Sequence, residues 1–93
     1  MTVILGDLTF DNVVYDDGAD VLYLHAGDPA IAVEFDESPE GHALRYDAKG
    51  RLVGVTIVNA RWLLEQGEQV TITLPQPIRV DRDTLAAAIG PER

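Results

Sequence analysis

The feature that most constrains the fold is the regular spacing of turn-forming clusters along the first two thirds of the chain. Glycine and aspartate crowd four short stretches, at 16–19, 26–29, 36–41 and 47–50. Glycine accepts positive φ and aspartate side chains bond nearby backbone amides, so both residue types favour tight turns. The segments between the turns alternate apolar and polar residues, which is typical of half-buried strands. The pattern predicts five strands, near 11–15, 20–25, 30–35, 42–46 and 51–58.

Register gives this prediction an internal check, because a slip of one residue would turn a strand's apolar set to the wrong face. If each turn closes the shortest antiparallel hairpin, Leu22 faces Val13 and Val33, and Leu44 faces Val33 and Val53. All the apolar positions then share one face. That predicted buried face carries Val13, Leu22, Leu24, Ile31, Val33, Phe35, Leu44, Tyr46, Val53, Val55 and Ile57. The opposite face carries Tyr23, His25, Ala32, Glu34, Arg45, Leu52 and Thr56.

The C-terminal third supplies helices and a further strand. Asn59 is placed to cap a helix over 60–66 that would pack on the sheet. A sixth alternating segment follows at 70–74, and a short capped helix is predicted over 83–90. The predicted fold class is α+β: an antiparallel β-meander of five to six strands with a short helix packed on one face and a short C-terminal helix. With 93 residues, 1–93 is expected to form a single domain, in which 68–90 supply the C-terminal strand and helix.

The charge balance bears on possible partners. Sixteen acidic and seven basic residues give a net charge of −9, which disfavours nucleic acid and anionic membrane surfaces. The same excess serves solubility or matches a basic protein partner. Cysteine is absent from the sequence, which excludes disulfides, thiolate metal sites and cysteine nucleophiles. The N-terminal stretch lacks the pattern of a secretion signal and no apolar run is long enough to span a bilayer, so a cytoplasmic location is expected.

Two spaced motifs carry a family resemblance. The first has the form Y-D-x-x-x-D-x-L-Y, and the second begins D-x-x-G-R-L-V-G. The matching positions are Tyr15, Asp16, Asp20, Leu22, Tyr23, Asp47, Gly50, Arg51, Leu52, Val53, Gly54, Val55, Ile57 and Ala60. Over about 12–60 the chain resembles the YuzE-like family of bacterial and archaeal domains of unknown function, the DUF2283 type. The resemblance implies a shared fold, and because the family carries no established activity, it implies no function.

The acidic turn is the first candidate site. Asp16, Asp17 and Asp20 flank a glycine and could ligate a hard cation through carboxylate oxygens. The stretch lacks the twelve-residue ligand spacing and the distal glutamate of a calcium loop. A hairpin turn whose aspartates bond their own backbone explains the same residues more simply, so no metal site is assigned.

Histidine offers a second candidate. Tyr23, His25 and Glu34 fall on one predicted face and could form an acid–base cluster, although a solvated sheet face commonly carries such side chains. His42 falls on the other face, so a two-histidine metal site is not expected. His42 is instead expected to be partly buried, with one ring nitrogen in a hydrogen bond.

Arg51 and Trp62 complete the candidate binding residues. Arg51 follows the turn glycine Gly50 and could stack on Tyr46. Trp62 is predicted to pack over the sheet or, as the alternative, to anchor a partner at the surface.

The sequence therefore supports a non-enzymatic, acidic protein-binding module better than an enzyme. No catalytic residues are assigned and no cofactor is expected. The partner would be a protein, including a small basic, toxin-like protein that this chain would bind as an antitoxin does, or a second copy in a homodimer. The alternative is a metal-dependent hydrolase or small-ligand-binding domain that uses Asp16, Asp20, His25 and Glu34.

Overall fold

The computed structural model describes residues 2–5, 7–67, 70–73 and 78–90. The strands are β1 Val3–Leu5, β2 Leu8–Phe10, β3 Asn12–Asp16, β4 Val21–His25, β5 Glu34–Glu37, β6 Ala43–Tyr46, β7 Leu52–Val58, β8 Val70–Ile72 and β9 Ile78–Val80. The helices are α1 Ala60–Glu65 and α2 Arg82–Ile89, and Pro29–Ile31 form one 3₁₀ turn. None of the helices in these ranges has the length and apolar character needed to cross a membrane.

A five-stranded antiparallel sheet is the centre of the fold. Its strand order is β3-β4-β7-β6-β5, and two separate two-stranded sheets, β1-β2 and β8-β9, accompany it. Together with two short helices this is an α+β fold, as the sequence predicted. The order of neighbours inside the sheet differs from a continuous meander, because β7 and not β5 lies beside β4.

The third predicted strand is where the sequence prediction was wrong. Residues 30–35 were assigned to a strand next to β4, but the chain turns away at Gly27, which has φ 71°. The Asp28 side chain then accepts the Ala30 N–H at 2.9 Å and stabilises the 3₁₀ turn. As a result β5 starts only at Glu34 and forms the far edge of the sheet.

The change of neighbour also changes the register. Leu22 faces Ile57 and Leu24 faces Val55, where Val33 and Ile31 had been predicted. Val33 and Phe35 were expected in the core, and they are 55% and 68% exposed. The exposure follows from the register of β5: Leu44 pairs with Asp36 where Val33 had been predicted, and this odd shift of three residues turns Val33 and Phe35 to the face opposite the core.

Two hairpins have a register two residues away from the prediction. Val13 pairs with Leu24 instead of Leu22, and Leu44 pairs with Val55 instead of Val53. A shift of two keeps each side chain on its predicted face. The buried face was therefore predicted correctly for most of its central positions: Leu22, Leu24, Leu44, Val55 and Ile57 are at most 2% exposed.

The rest of the chain covers this buried face. The β1–β2 and β8–β9 hairpins and both helices join the sheet in one hydrophobic core. Their fully buried members include Phe10, Ala60, Ile72 and Leu85. β1, β2 and β9 were not predicted, and Leu74, the last residue of the predicted sixth strand, lies outside the described residues. Among the residues that the structure describes, none forms such a cover on the other face of the central sheet.

Helix α2 has a cap at each end. The Asp81 side chain accepts the Thr84 N–H at 2.7 Å, and this bond holds the pKa of Asp81 below its usual value. The helix starts at Arg82, one residue before the predicted start. It ends at Ile89, and the C-cap residue Gly90 has a φ of 85°, which favours glycine.

Candidate binding site on the open sheet face

Asp20 acts as a cap for α1 from a distant part of the sequence. Its carboxylate accepts the backbone N–H groups of Arg61 at 2.7 Å and Trp62 at 3.2 Å, and the Tyr15 hydroxyl at 2.7 Å. Asn59, the predicted cap, has φ 56° and makes no side-chain cap bond. The acidic turn therefore supplies the carboxylate that the first turn of this helix needs.

The protonation of Asp20 follows from these contacts. Partial burial pushes its pKa upward, but the hydrogen bonds from the Arg61 N–H, the Tyr15 hydroxyl and the Trp62 N–H outweigh burial and lower the pKa. Burial and the bond to Asp20 raise the pKa of Tyr15 in turn. The Arg61 guanidinium lies 5.5 Å from the centre of the Tyr15 ring. These groups form a structural cluster that joins the β3–β4 turn to α1.

The structure does not bring the proposed metal-ligand residues together. Asp20 and His25 lie at opposite ends of β4, about 16 Å apart at ~3.3 Å per residue. Asp16 accepts the Ala19 N–H within its own turn. Glu34 pairs with Tyr46 across β5 and β6, and Tyr46 packs toward the core. Glu34 therefore does not share a face with His25. Over the described ranges, no group of three or more His, Cys, Asp or Glu residues could hold a metal ion.

The second family motif also forms a turn. Asp47 Oδ1 accepts the N–H groups of Lys49 and Arg51, each at 2.9 Å, and Oδ2 pairs with Arg51 Nε at 2.7 Å. The Arg51 contacts lower the pKa of Asp47. Gly50 has φ 77° at the corner. Arg51 thus closes this turn by pairing with Asp47, in place of the expected stacking on Tyr46.

The uncovered side of the central sheet carries two complete rows of side chains, which we call the open face. Register places one row across all five strands: Asn12, His25, Gly54, Arg45 and Phe35. The adjacent row is Val14, Tyr23, Thr56, Ala43 and Glu37. Large apolar side chains remain exposed here, since Val14 is 61% and Tyr23 is 41% exposed. The Arg45 guanidinium lies 5.6 Å from the centre of the Phe35 ring.

A cavity of about 240 Å³ opens on this face, and we call it the recess. Val14, Tyr23, His25, Arg45, Gly54 and Thr56 contribute to its lining. Gly54 creates the space: a Cβ there would lie 3.0 Å from His25 Cδ2 and 3.1 Å from Arg45 Cβ. The absence of a side chain at Gly54 lets the edge of the imidazole and the stem of Arg45 approach the sheet backbone.

His25 lies in the recess, and within the described part of the chain only one of its two ring nitrogens has a hydrogen-bond partner. Nδ1 is 3.3 Å from the carbonyl oxygen of Gly27. A carbonyl oxygen only accepts, so Nδ1 carries the proton and Nε2 of the neutral ring is an acceptor. Nε2 is buried, and none of the described residues forms a hydrogen bond with it. An unsatisfied buried polar group costs about 1–3 kcal/mol, and a ligand donor that bonded to Nε2 would recover about 0.5–1.5 kcal/mol after its own desolvation.

The Gly27 backbone that orients His25 is itself held on both sides. Asn12 Nδ2 donates to the Gly27 carbonyl at 2.8 Å, and the Gly27 N–H donates to Asp11 Oδ1 at 2.8 Å. The bond from Gly27 is the main cause of the lowered pKa of Asp11. His25 is only 8% exposed, whereas the sequence had placed it on a solvated surface.

The remaining predicted residues divide between two places. Tyr23 lies beside His25 on the open face, as predicted, but Glu34 does not join them. Trp62 is 56% exposed on α1 and lines a separate groove with Glu40 and His42. His42 is buried, and its Nδ1 accepts the Val58 N–H at 3.3 Å, so the prediction of one satisfied ring nitrogen is confirmed.

Sequence reasoning missed much of the open face. Val14 and Gly54 were not chosen as site residues, and Phe35 was assigned to the core. The alternation of strands β6 and β7 did place Arg45 and Thr56 opposite the core, and that was the available signal. Gly54 was visible as a glycine inside a strand, a position that often marks the close approach of other groups.

Fold and site together define a small α+β domain with a one-sided antiparallel sheet. The family model for proteins of unknown function DUF2283 matches residues 12–61, which run from the start of β3 into α1 and include the whole open face. The chain belongs to this family. Comparisons with curated proteins and with solved structures gave no match.

Proposed function

We propose that this protein is a non-enzymatic binding module whose open face docks a protein partner. The observation that carries the proposal is the contrast between the two faces of one sheet. One face is buried under two hairpins and two helices, and the other leaves Val14, Tyr23 and Phe35 uncovered. Large exposed apolar groups clustered on a rigid surface are typical of interaction sites.

The size of the open face limits the kind of complex. Five strands about 4.8 Å apart, with about five residues each at ~3.3 Å, cover roughly 400 Å². A standard stable interface buries about 800 Å² on each partner. The partner must therefore contact the rim of the face as well as its centre.

The rim favours a basic partner. Its exposed carboxylates are Asp11, Asp16, Asp17, Asp28 and Glu37. Arg45 is the one basic residue in the two rows. A partner with an apolar centre and a surrounding set of lysine and arginine side chains complements this arrangement, and opposite charges would speed the encounter. A small basic, toxin-like protein belongs to this class, in which case the chain would act as its antitoxin-like partner.

A second copy of the chain complements the face less well. Two copies packed through their open faces would each bring a net charge of −9 and the same acidic rim. Like charges placed opposite each other oppose association. We therefore assign the face to a different, basic protein in the cytoplasm, and a homodimer through this face is an outcome that the experiment can reveal.

The test is capture of a partner from the native cell with tagged protein at low and high salt. We expect a stoichiometric basic protein that salt releases, and loss of capture in a Val14→Ser, Phe35→Ser variant. Ile4→Ser is the matched control, since Ile4 is 65% exposed on β1 and lies outside the central sheet. Trp62→Ser tests the groove beside α1.

Each alternative result contradicts the proposal in a different way. Capture that survives the open-face substitutions but fails in Trp62→Ser would move the site to α1. A second copy of the chain as the bound protein, with dimers in sedimentation, would replace the basic partner by self-association. A complex unaffected by salt would contradict the role of the acidic rim.

A further inference from the structure

The recess has the size of a single aromatic ring. A cavity of about 150 Å³ is sufficient to hold benzene, and the recess measures about 240 Å³. Drug-sized ligands and cofactors occupy pockets of about 300–1,000 Å³. The recess therefore suits one side chain better than a whole cofactor.

The chemistry of the recess selects among side chains. His25, which lines the recess, has a buried Nε2 that can accept a hydrogen bond and receives none from the described residues. None of the described residues that line the recess is acidic, so a lysine ammonium would lose its hydration without a counter-ion. A carboxylate or phosphate would place its own lone pairs against that of Nε2. A neutral group with an apolar body and a terminal hydroxyl donor fits both the walls and the floor.

We propose that the recess receives a tyrosine side chain of the docked partner, whose hydroxyl donates to His25 Nε2. This inference rests on the proposed function and names the central contact of the same interface. The phenol ring would pack on Val14 and Tyr23, and its hydroxyl, at the far end of the ring, would point to the floor beside Gly54. Tyrosine is enriched among the residues that dominate interface energetics.

Entry of the ring requires a movement of Arg45. His25 Nε2 is buried before the partner binds. The Arg45 stem lies 3.1–3.3 Å from the position that a Cβ at Gly54 would occupy. Arg45 is partly exposed and its guanidinium rests on Phe35 at the edge of the sheet. The flexible stem can swing outward, and the guanidinium can then lie on the face of the entering ring as it now lies on Phe35.

The experiment uses 4-methylphenol as the tyrosine analogue and toluene as the matched probe without the hydroxyl. Both are titrated into isotope-labelled full-length protein, and NMR records the amides of the open face and the His25 ring nitrogens. We expect shifts centred on the recess, a change at Nε2, and binding of 4-methylphenol about 2- to 10-fold tighter than toluene, as one neutral hydrogen bond provides. His25→Phe should remove the difference between the probes, and His25→Gln, which keeps an acceptor, should retain part of it.

Several results would overturn the inference. Equal affinity for the two probes, shifts that map elsewhere, or no binding up to the solubility limit of 4-methylphenol would each show that the recess does not recognise a phenol. Since toluene and 4-methylphenol are compared on the wild-type protein, a misfolded variant cannot decide the result.

A competition arm separates this inference from the proposed function. Saturating 4-methylphenol should lower partner capture, and toluene at the same concentration should lower it less. If capture depends on Val14 and Phe35 but is indifferent to 4-methylphenol, the tyrosine contact is wrong and the docking face stands. If 4-methylphenol binds but capture does not depend on the open face, the proposed function fails, and the assignment of the ring to a partner fails with it.

Discussion

Replacement of Asp20 tests whether the acidic turn is structural or functional. Asp20→Ala removes the acceptor for the N–H groups of Arg61 and Trp62 and for the Tyr15 hydroxyl. Loss of a helix N-cap costs about 1 kcal/mol, and a partly buried hydroxyl left without its acceptor costs about 1 kcal/mol more. Alanine also tolerates the left-handed φ of 55° less well than aspartate does. We expect a loss of about 2–3 kcal/mol in the free energy of unfolding.

Urea unfolding followed by far-UV circular dichroism measures this loss. Asp20→Asn keeps one oxygen acceptor and should lose less, about 1 kcal/mol. The matched control is Asp16→Asn, an exposed aspartate of the same turn, which should stay within about 0.5 kcal/mol of the wild type. A double-mutant cycle with Tyr15→Phe should show a coupling of about 1 kcal/mol, because the two side chains share one hydrogen bond.

The contribution of Asp20 to stability should also depend on pH. The pKa of Asp20 is lowered in the folded protein from its ordinary 3.8. The contribution of Asp20 to the free energy of unfolding is therefore complete above pH 3.8 and is lost as the pH falls through the lower pKa of the folded protein. The stability difference between wild type and Asp20→Asn should stay constant from neutral pH down to about 3.8 and shrink as the pH falls further. An Asp20→Ala variant as stable as Asp16→Asn would refute the capping role.

Three further perturbations test other parts of the account by urea unfolding. Gly54→Ala places a Cβ 3.0 Å from His25 Cδ2 and 3.1 Å from Arg45 Cβ, so the free energy of unfolding should fall by about 1–3 kcal/mol. The imidazole should also move, which NMR records as changed His25 ring shifts; unchanged shifts would contradict the close packing of His25 on Gly54. Gly50→Ala has open space around the new Cβ but φ 77°, so it should cost about 1 kcal/mol through backbone strain alone, with no change at His25. Burial lowers the pKa of His42 below its ordinary 6.5, although Glu40 opposes the shift. The contribution of His42 to the free energy of unfolding should therefore be complete above pH 6.5 and fall as the pH drops below it. A His42→Leu variant whose free energy of unfolding depends on pH as in the wild type would contradict this.

The sequence predicted which residues face the core better than which strands are neighbours. Alternation determines the face of Leu22 or Leu44, and a shift of two residues leaves that face unchanged. It carries no information about the pairing of β4 with β7, which lie about thirty positions apart. The shortest-hairpin assumption failed at Gly27 and Asp28, where local hydrogen bonds favour a 3₁₀ turn over a return strand. The three-residue strands β1, β2 and β9 are too short for alternation to be recognised.

The candidate site was predicted in part for the same reasons. Tyr23 and His25 are two residues apart on β4, so alternation along the strand places them on the same face. Glu34 was misplaced with the strand that contains it. The role of Asp20 depends on contacts with Arg61 and Trp62, 41 and 42 residues away, and local sequence cannot indicate such a cap.

The most direct test of the central claim is a footprint of the captured partner on the isotope-labelled protein. Amide and methyl NMR spectra are recorded before and after the partner is added. If the partner docks on the open face, the perturbed signals should cover its two rows, centred on Val14, Tyr23 and Phe35, while Trp62 and Ile4 stay unchanged. Perturbations confined to α1 and the groove at Trp62, with the open face still exposed to solvent in the complex, would contradict it.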